Sequence, residues 1–219
     1  MKLTQDVWHL FKKDLKLEWR EKNALSAVFL YVLSTVMVVY QIFMTVEPLV
    51  WVSIYWIICL FASVNAAAKS FVQEEGNTRL YYYQLVSPEA MILSKMLFNA
   101  LLMMSITFLS SMIFTLLLGF PIKSVGLWLL ITQLGGFGLA VTFTMISAIA
   151  SKARNSSVLM TILGLPLVIP QILILVKLSK SALLVLTVSN VQKDIIGLLS
   201  MDIVLIVVAL FFFPFLWRD

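Results

Sequence analysis

Apolar residues fill this chain in long runs broken by short polar stretches, and the run lengths decide the reading. Six runs, at about 24–43, 49–69, 91–118, 125–150, 156–176 and 196–216, are almost free of charge. A helix rises about 1.5 Å per residue, so about 20 apolar residues cross about 30 Å of hydrocarbon, and each run predicts one spanning helix. The third and fourth are long enough to tilt or protrude. Ahead of them the period changes. In TQDVWHLFKKDLKLEWREK, residues 4–22, Trp8, Phe11, Leu15 and Trp19 recur every three or four positions, with Lys12, Lys13, Lys16, Arg20 and Lys22 on the other sides. That pattern predicts an amphipathic helix on the membrane surface, or else one packed on a partner. Thr4 can cap its start, and Asp6 suits the positive end of its dipole. A last apolar stretch, ALLVLTVSNV at 182–191, is half a span long. It predicts a re-entrant or interfacial outer segment within 177–195.

Composition agrees. Of 219 residues 61% are hydrophobic and 12% charged, against about a quarter charged in a soluble domain. The chain reads as one all-α integral membrane domain over 1–219, six transmembrane helices preceded by an amphipathic interfacial helix, in contact with lipid. The net charge of +5 comes from basic residues at the ends of apolar runs, which is a topological signal and no nucleic-acid stripe. With the N-terminus in the cytoplasm, twelve Lys and Arg fall inside, and four, Lys123, Lys177, Lys180 and Lys193, fall outside. Both termini are therefore expected in the cytoplasm. The first apolar run is as long as a full span and is expected to be retained. Tyr40, Trp51, Tyr55, Trp56, Trp128 and Trp217 lie near span ends, where amphipathic rings favour the interface.

Catalytic chemistry is sparse. His9 is the single histidine and Cys59 the single cysteine, so neither a histidine-based triad nor a Cys/His metal cage can be built from one chain. Asp194 and Asp202 are expected to flank the outer end of the last span, apart from Glu47 and Glu89. Asn65, Asn99 and Gln133 are candidates for hydrogen bonds between helices. QLGGFG at 133–138 lacks the Gly-Lys-Ser/Thr ending of a phosphate loop. Gly136, Ala140, Thr144 and Ala148 make a small-residue stripe at four-residue spacing, as do Ala62, Ala66 and Ser70, which suits close helix contact. Pro166 and Pro170 remove two backbone donors on one face of the fifth span and predict a kink or a hinge. No ATP-binding motif is present, so the energy for any work is expected from another chain. A membrane enzyme lacks its catalytic groups here, and a stand-alone carrier lacks the charged midplane site it usually carries.

The connector after the second span reads FVQEEGNTRLYYYQLVSP, residues 71–88. Glu74, Glu75, Gly76 and Asn77 can turn the chain, and LYYYQLV then offers more aromatic surface than a solvated loop needs. Ser87, Pro88 and Glu89 form a helix start. These residues carry a resemblance. KDLKLEWR at 13–20, EEG with LVSPE and Lys95, and LGLPLVIPQIL at 163–173 make the chain similar, nearly end to end, to the membrane subunits of ABC-2-type transporters, and most to the haem exporter protein B family of cytochrome c maturation. Tyr81, Tyr82 and Tyr83 stand where many members carry leucines.

The resemblance implies a permease in the bacterial inner membrane that pairs with itself and with two copies of a cytoplasmic ATPase. Glu74, Glu75, Gly76, Tyr81, Tyr82, Tyr83 and Leu85 would form the coupling segment. A separate haem-handling membrane protein and a haem chaperone would complete the assembly. No cofactor is expected on this chain: ATP belongs to the partner, and haem enters as cargo. Both haem export and ATP-driven release of the haem-loaded chaperone fit that role. An ABC-2-type permease for a lipid, polysaccharide or drug shares the same physical features.

Overall fold

The computed structural model describes residues 2–21, 23–43, 45–72, 86–151, 156–184 and 188–218. Among these described residues seven helices follow in order: α1 Lys2–Glu21, α2 Asn23–Ile42, α3 Pro48–Val72, α4 Pro88–Leu118, α5 Val125–Ala150, α6 Ser156–Leu183 and α7 Val188–Arg218. No strand occurs among the described residues. Five stretches, Pro48–Ala67, Pro88–Leu118, Val125–Ala150, Val158–Leu183 and Val191–Phe215, are long and apolar enough to cross a membrane, and α2 carries a shorter apolar run, Ser26–Ile42. The chain is a multi-pass, all-helical membrane protein.

At its centre is α5, which packs against α3, α4, α6 and α7. Small residues permit this crowding. A Cβ built on Gly136 would lie 2.9 Å from Thr107 Oγ1 and 3.2 Å from the Met103 carbonyl, so α4 approaches within backbone reach. Ala140, Thr144 and Ala148 continue the same buried face. A side-chain bond crosses the same seam: Asn99 Nδ2 donates to Thr144 Oγ1 at 2.8 Å, joining α4 to α5. Gln133 Nε2 reaches the Met104 carbonyl at 3.4 Å, whereas Asn65 bonds within its own helix, to the Phe61 carbonyl at 3.0 Å.

The helix starts and stops have local causes. Ser87 caps α4, its hydroxyl accepting from the Ala90 amide at 3.3 Å, with Pro88 at the first helical position and Glu89 in the first turn. Gly119, at φ 79°, ends it in a conformation that a side chain would strain. Pro166 and Pro170 both lie inside α6, which stays helical through them. The apolar stretch at 182–191 does not stand apart over its described part. Residues up to Leu183 continue α6, and Val188 onward begins α7.

Rings expected at the water interface instead fill the core at the end of the bundle that carries the α2–α3 and α4–α5 connections. Trp51, Tyr55, Trp56 and Trp128 are fully buried with Phe114. Tyr55 and Trp128 have ring centroids 4.9 Å apart, and Trp51 meets Phe114 edge-on at 5.2 Å. Three of the four polar tips are bonded inside the protein, while Trp51 Nε1 is buried with no partner among the described residues. Tyr55 Oη donates to the Thr107 carbonyl at 2.9 Å, Trp56 Nε1 to Ser179 Oγ at 2.8 Å, and Trp128 Nε1 to Ser111 Oγ at 2.8 Å. Neighbouring helices, through two serines and one carbonyl, thus satisfy the polar groups of Tyr55, Trp56 and Trp128 that otherwise draw such rings to the headgroup layer. Tyr40 remains exposed.

Candidate functional site

The coupling residues inferred from the sequence, Glu74, Glu75, Gly76, Tyr81, Tyr82, Tyr83 and Leu85, lie outside the described residues. What the structure does describe is how their connector is anchored. On one side α3 runs to Val72. On the other, Val86 packs on an apolar cluster that includes Leu10 of α1, Met91 and Met96 of α4, Met145 of α5 and Leu205 of α7. The chain therefore leaves the connector directly onto a node shared by four helices.

Beside that node lies an ion pair. Lys95 Nζ stands 3.2 Å from Asp14 Oδ2 and ties α4 to α1, with both side chains 7% exposed; Lys13 Nζ lies 3.1 Å from the other carboxylate oxygen. Leu10 and Asp14 thus form the face that α1 turns to the bundle. The tryptophan stripe beside it faces outward, Trp8 54% and Trp19 77% exposed, with the Lys12 ammonium 5.0 Å from the Trp8 ring. An apolar groove of about 780 Å³ follows α4 and α5 next to α1, lined by Trp8, Phe11, Met104, Phe108 and Phe137 among others, and no charged residue among those described lines it.

Deeper in the bundle the structure corrects the expectation for Asp202. It does not flank the outer end of the last span, because α7 begins at Val188, eight residues ahead of the expected start. Fourteen residues into that helix, Asp202 is 1% exposed. Gln171 of α6 and Thr142 of α5, each fully buried, complete a polar node. Gln171 Nε2 and Asp202 Oδ1 are 3.1 Å apart, Thr142 Oγ1 and Gln171 Oε1 are 3.1 Å apart, and Thr142 Oγ1 lies 2.9 Å from the Gly138 carbonyl. Gly138 makes the room. A Cβ there would fall 2.1 Å from Gln171 Nε2 and 2.7 and 3.0 Å from the two Asp202 oxygens. The signal was present in the sequence, since Gln171 and Asp202 are lone polar residues within VIPQILI and MDIVLI. Polar groups so placed find each other inside a membrane protein.

The site holds amide, hydroxyl and carboxyl groups and an ion pair. Among the described residues no three His, Cys, Asp or Glu side chains gather as a metal cage. No curated protein matches the chain. The CcmB protein family does, over residues 5–218. That span takes in the basic first helix, the connector and the proline-bearing α6, and it favours the haem system over a permease for another cargo. The chain belongs to the CcmB family and is the membrane permease subunit, a non-catalytic component, of a haem-export ABC transporter for cytochrome c maturation.

Proposed function

We propose that residues 73–87 are the handle by which an ATPase subunit moves this permease. The observation that carries this reading is the seating of Val86 and the first turns of α4 on the cluster shared by α1, α4, α5 and α7, with Lys95 tied to Asp14 just beyond. A displacement delivered to that connector enters four helices at once, and packed interfaces respond to it by shifting between discrete arrangements. Two copies of the chain, each with one ATPase, form the working unit in the bacterial inner membrane. Six spans place both termini in the cytoplasm, and α1 lies at the lipid surface on its Trp8 and Trp19 side.

The stripe Gly136, Ala140, Thr144 and Ala148 is the seam along which α4 and α5 move, and Pro166 and Pro170 let α6 bend. ATP is bound and hydrolysed on the partner, and this chain keeps no cofactor of its own. The movement drives haem export or frees the haem-loaded chaperone, beside a separate haem-handling membrane protein.

Glu75→Lys and Tyr82→Ala test the handle. Each variant is expected to accumulate in the membrane at the normal level. Recovery of the ATPase with the permease in mild detergent falls about tenfold, as expected for loss of an interface residue worth about 1.4 kcal/mol. Normal recruitment and normal ATPase stimulation by both variants would show that the handle lies elsewhere.

A further inference from the structure

The node of Asp202, Gln171 and Thr142 has no part in the coupling just described, and its hydrogen count does not close if Asp202 is ionised. Thr142 has one hydroxyl hydrogen, yet its oxygen lies within bonding distance of two acceptors, the Gly138 carbonyl at 2.9 Å and Gln171 Oε1 at 3.1 Å. One of those contacts is then left without a hydrogen. Asp202 Oδ2 is buried, and among the described residues no donor reaches it. An oxyanion oxygen left bare in a membrane interior is among the costliest arrangements a protein can hold.

Turning the Gln171 amide over exchanges its oxygen and nitrogen, a choice that heavy-atom positions do not settle. With one proton added to Asp202 Oδ1, the chain then closes. Asp202 Oδ1–H donates to the Gln171 oxygen, the Gln171 amide donates to Thr142 Oγ1, and the Thr142 hydroxyl donates to the Gly138 carbonyl. Three donors meet three acceptors, and the bare Oδ2 becomes a neutral carbonyl oxygen.

We propose that Asp202 is a proton-binding site, loaded in the packing seen here, and that Gln171 and Thr142 are its positioning residues. The proton comes from water on loading and returns to water when α6 and α7 separate from α5. Charged groups on the neighbouring helices do not substitute for it. On α4 they are Glu89 and Lys95, the latter paired with Asp14; on α6 they are Lys177, paired with Asp194 at 2.7 Å, and Lys180; α5 carries none. Lys193, Asp194 and Arg218 of α7 itself lie toward its two ends.

Infrared spectroscopy of the full chain in dodecyl maltoside micelles, whose detergent has no carbonyl group, reads the proton directly at near-neutral pH. A neutral carboxylic-acid carbonyl band is expected, and Asp202→Asn, which copies the shape of the loaded form, is expected to insert normally and to lose that band. The chain holds five aspartates, Asp6, Asp14, Asp194, Asp202 and Asp219. Solid-state NMR on unaltered protein, labelled at aspartate carboxyl carbons and glutamine side-chain nitrogens, should therefore show one neutral carboxyl in contact with a glutamine amide. That measurement needs no variant. Absence of any neutral aspartate signal, or a band that persists unchanged in Asp202→Asn, overturns the proposal.

Discussion

Lys95→Met is expected to destabilise the protein by about 3–5 kcal/mol, the usual result of removing one partner from a buried ion pair. Asp14 is 7% exposed and takes its buried cationic contact from Lys95 at 3.2 Å. Methionine fills much of the lysine volume, so the loss is chiefly electrostatic: a carboxylate stays behind with its hydration already removed and with only the more exposed Lys13 ammonium, 3.1 Å from its other oxygen, to offset it. The double variant Asp14→Leu with Lys95→Met removes both charges and is expected to recover most of the stability. Reversible unfolding in mixed micelles, followed by circular dichroism, measures both. If the single variant unfolds like the unaltered chain, or the double variant is worse than the single, α1 is not held to α4 by this pair. The pair should also be insensitive to added salt, since screening acts on exposed charges.

Gly135→Ala carries the second large effect, on the order of 3 kcal/mol, from overpacking and a lost hydrogen bond together. The new methyl would sit 2.3 Å from Trp56 Cη2, 2.7 Å from Cζ3 and 2.9 Å from Leu175 Cδ2. Trp56 has no free direction in which to retreat, being packed edge-to-face against Tyr55 and bonded through Nε1 to Ser179. A smaller ring relieves the clash, so Trp56→Phe should restore part of the stability when added to Gly135→Ala although it weakens the protein alone. Gly197→Ala is the control: nothing lies within 4 Å of its Cβ position, and the change should fall within about 0.5 kcal/mol of neutral. Equal effects at Gly135 and Gly197 would mean that helix propensity, not crowding, governs these positions.

Helices were legible because apolar run length is a one-dimensional property. The run at 125–150 coincides with α5, and Ser87-Pro88-Glu89 announced the start of α4 through local capping chemistry that needs no knowledge of neighbours. Side-chain placement was less legible because it depends on what another helix offers. Trp56 and Trp128 have the composition of interface anchors, and Ser179 and Ser111 turn them into core residues from 123 and 17 positions away. Asp202 was misplaced for a related reason. A hydropathy run starts where polar residues stop, but α7 continues back through Gln192, Lys193 and Asp194 as helix, which moves Asp202 inward. On α1 the aromatic period picked out Trp8 and Trp19, whereas the bundle takes the neighbouring face with Leu10 and Asp14, because Lys95 is there to receive a carboxylate. The coupling residues within 73–85 rest on the connector's sequence and on the family it belongs to.

The ring cluster also labels the molecule without chemistry. Of six tryptophans, Trp51, Trp56 and Trp128 are sealed inside the bundle at one end, while Trp8 and Trp19 on α1 look outward. Their emission should separate into a blue component that soluble quenchers cannot reach and a redder one that brominated lipid dims. With Trp217 replaced by phenylalanine, one fluorescence spectrum therefore reports the first helix and the far end of the bundle separately.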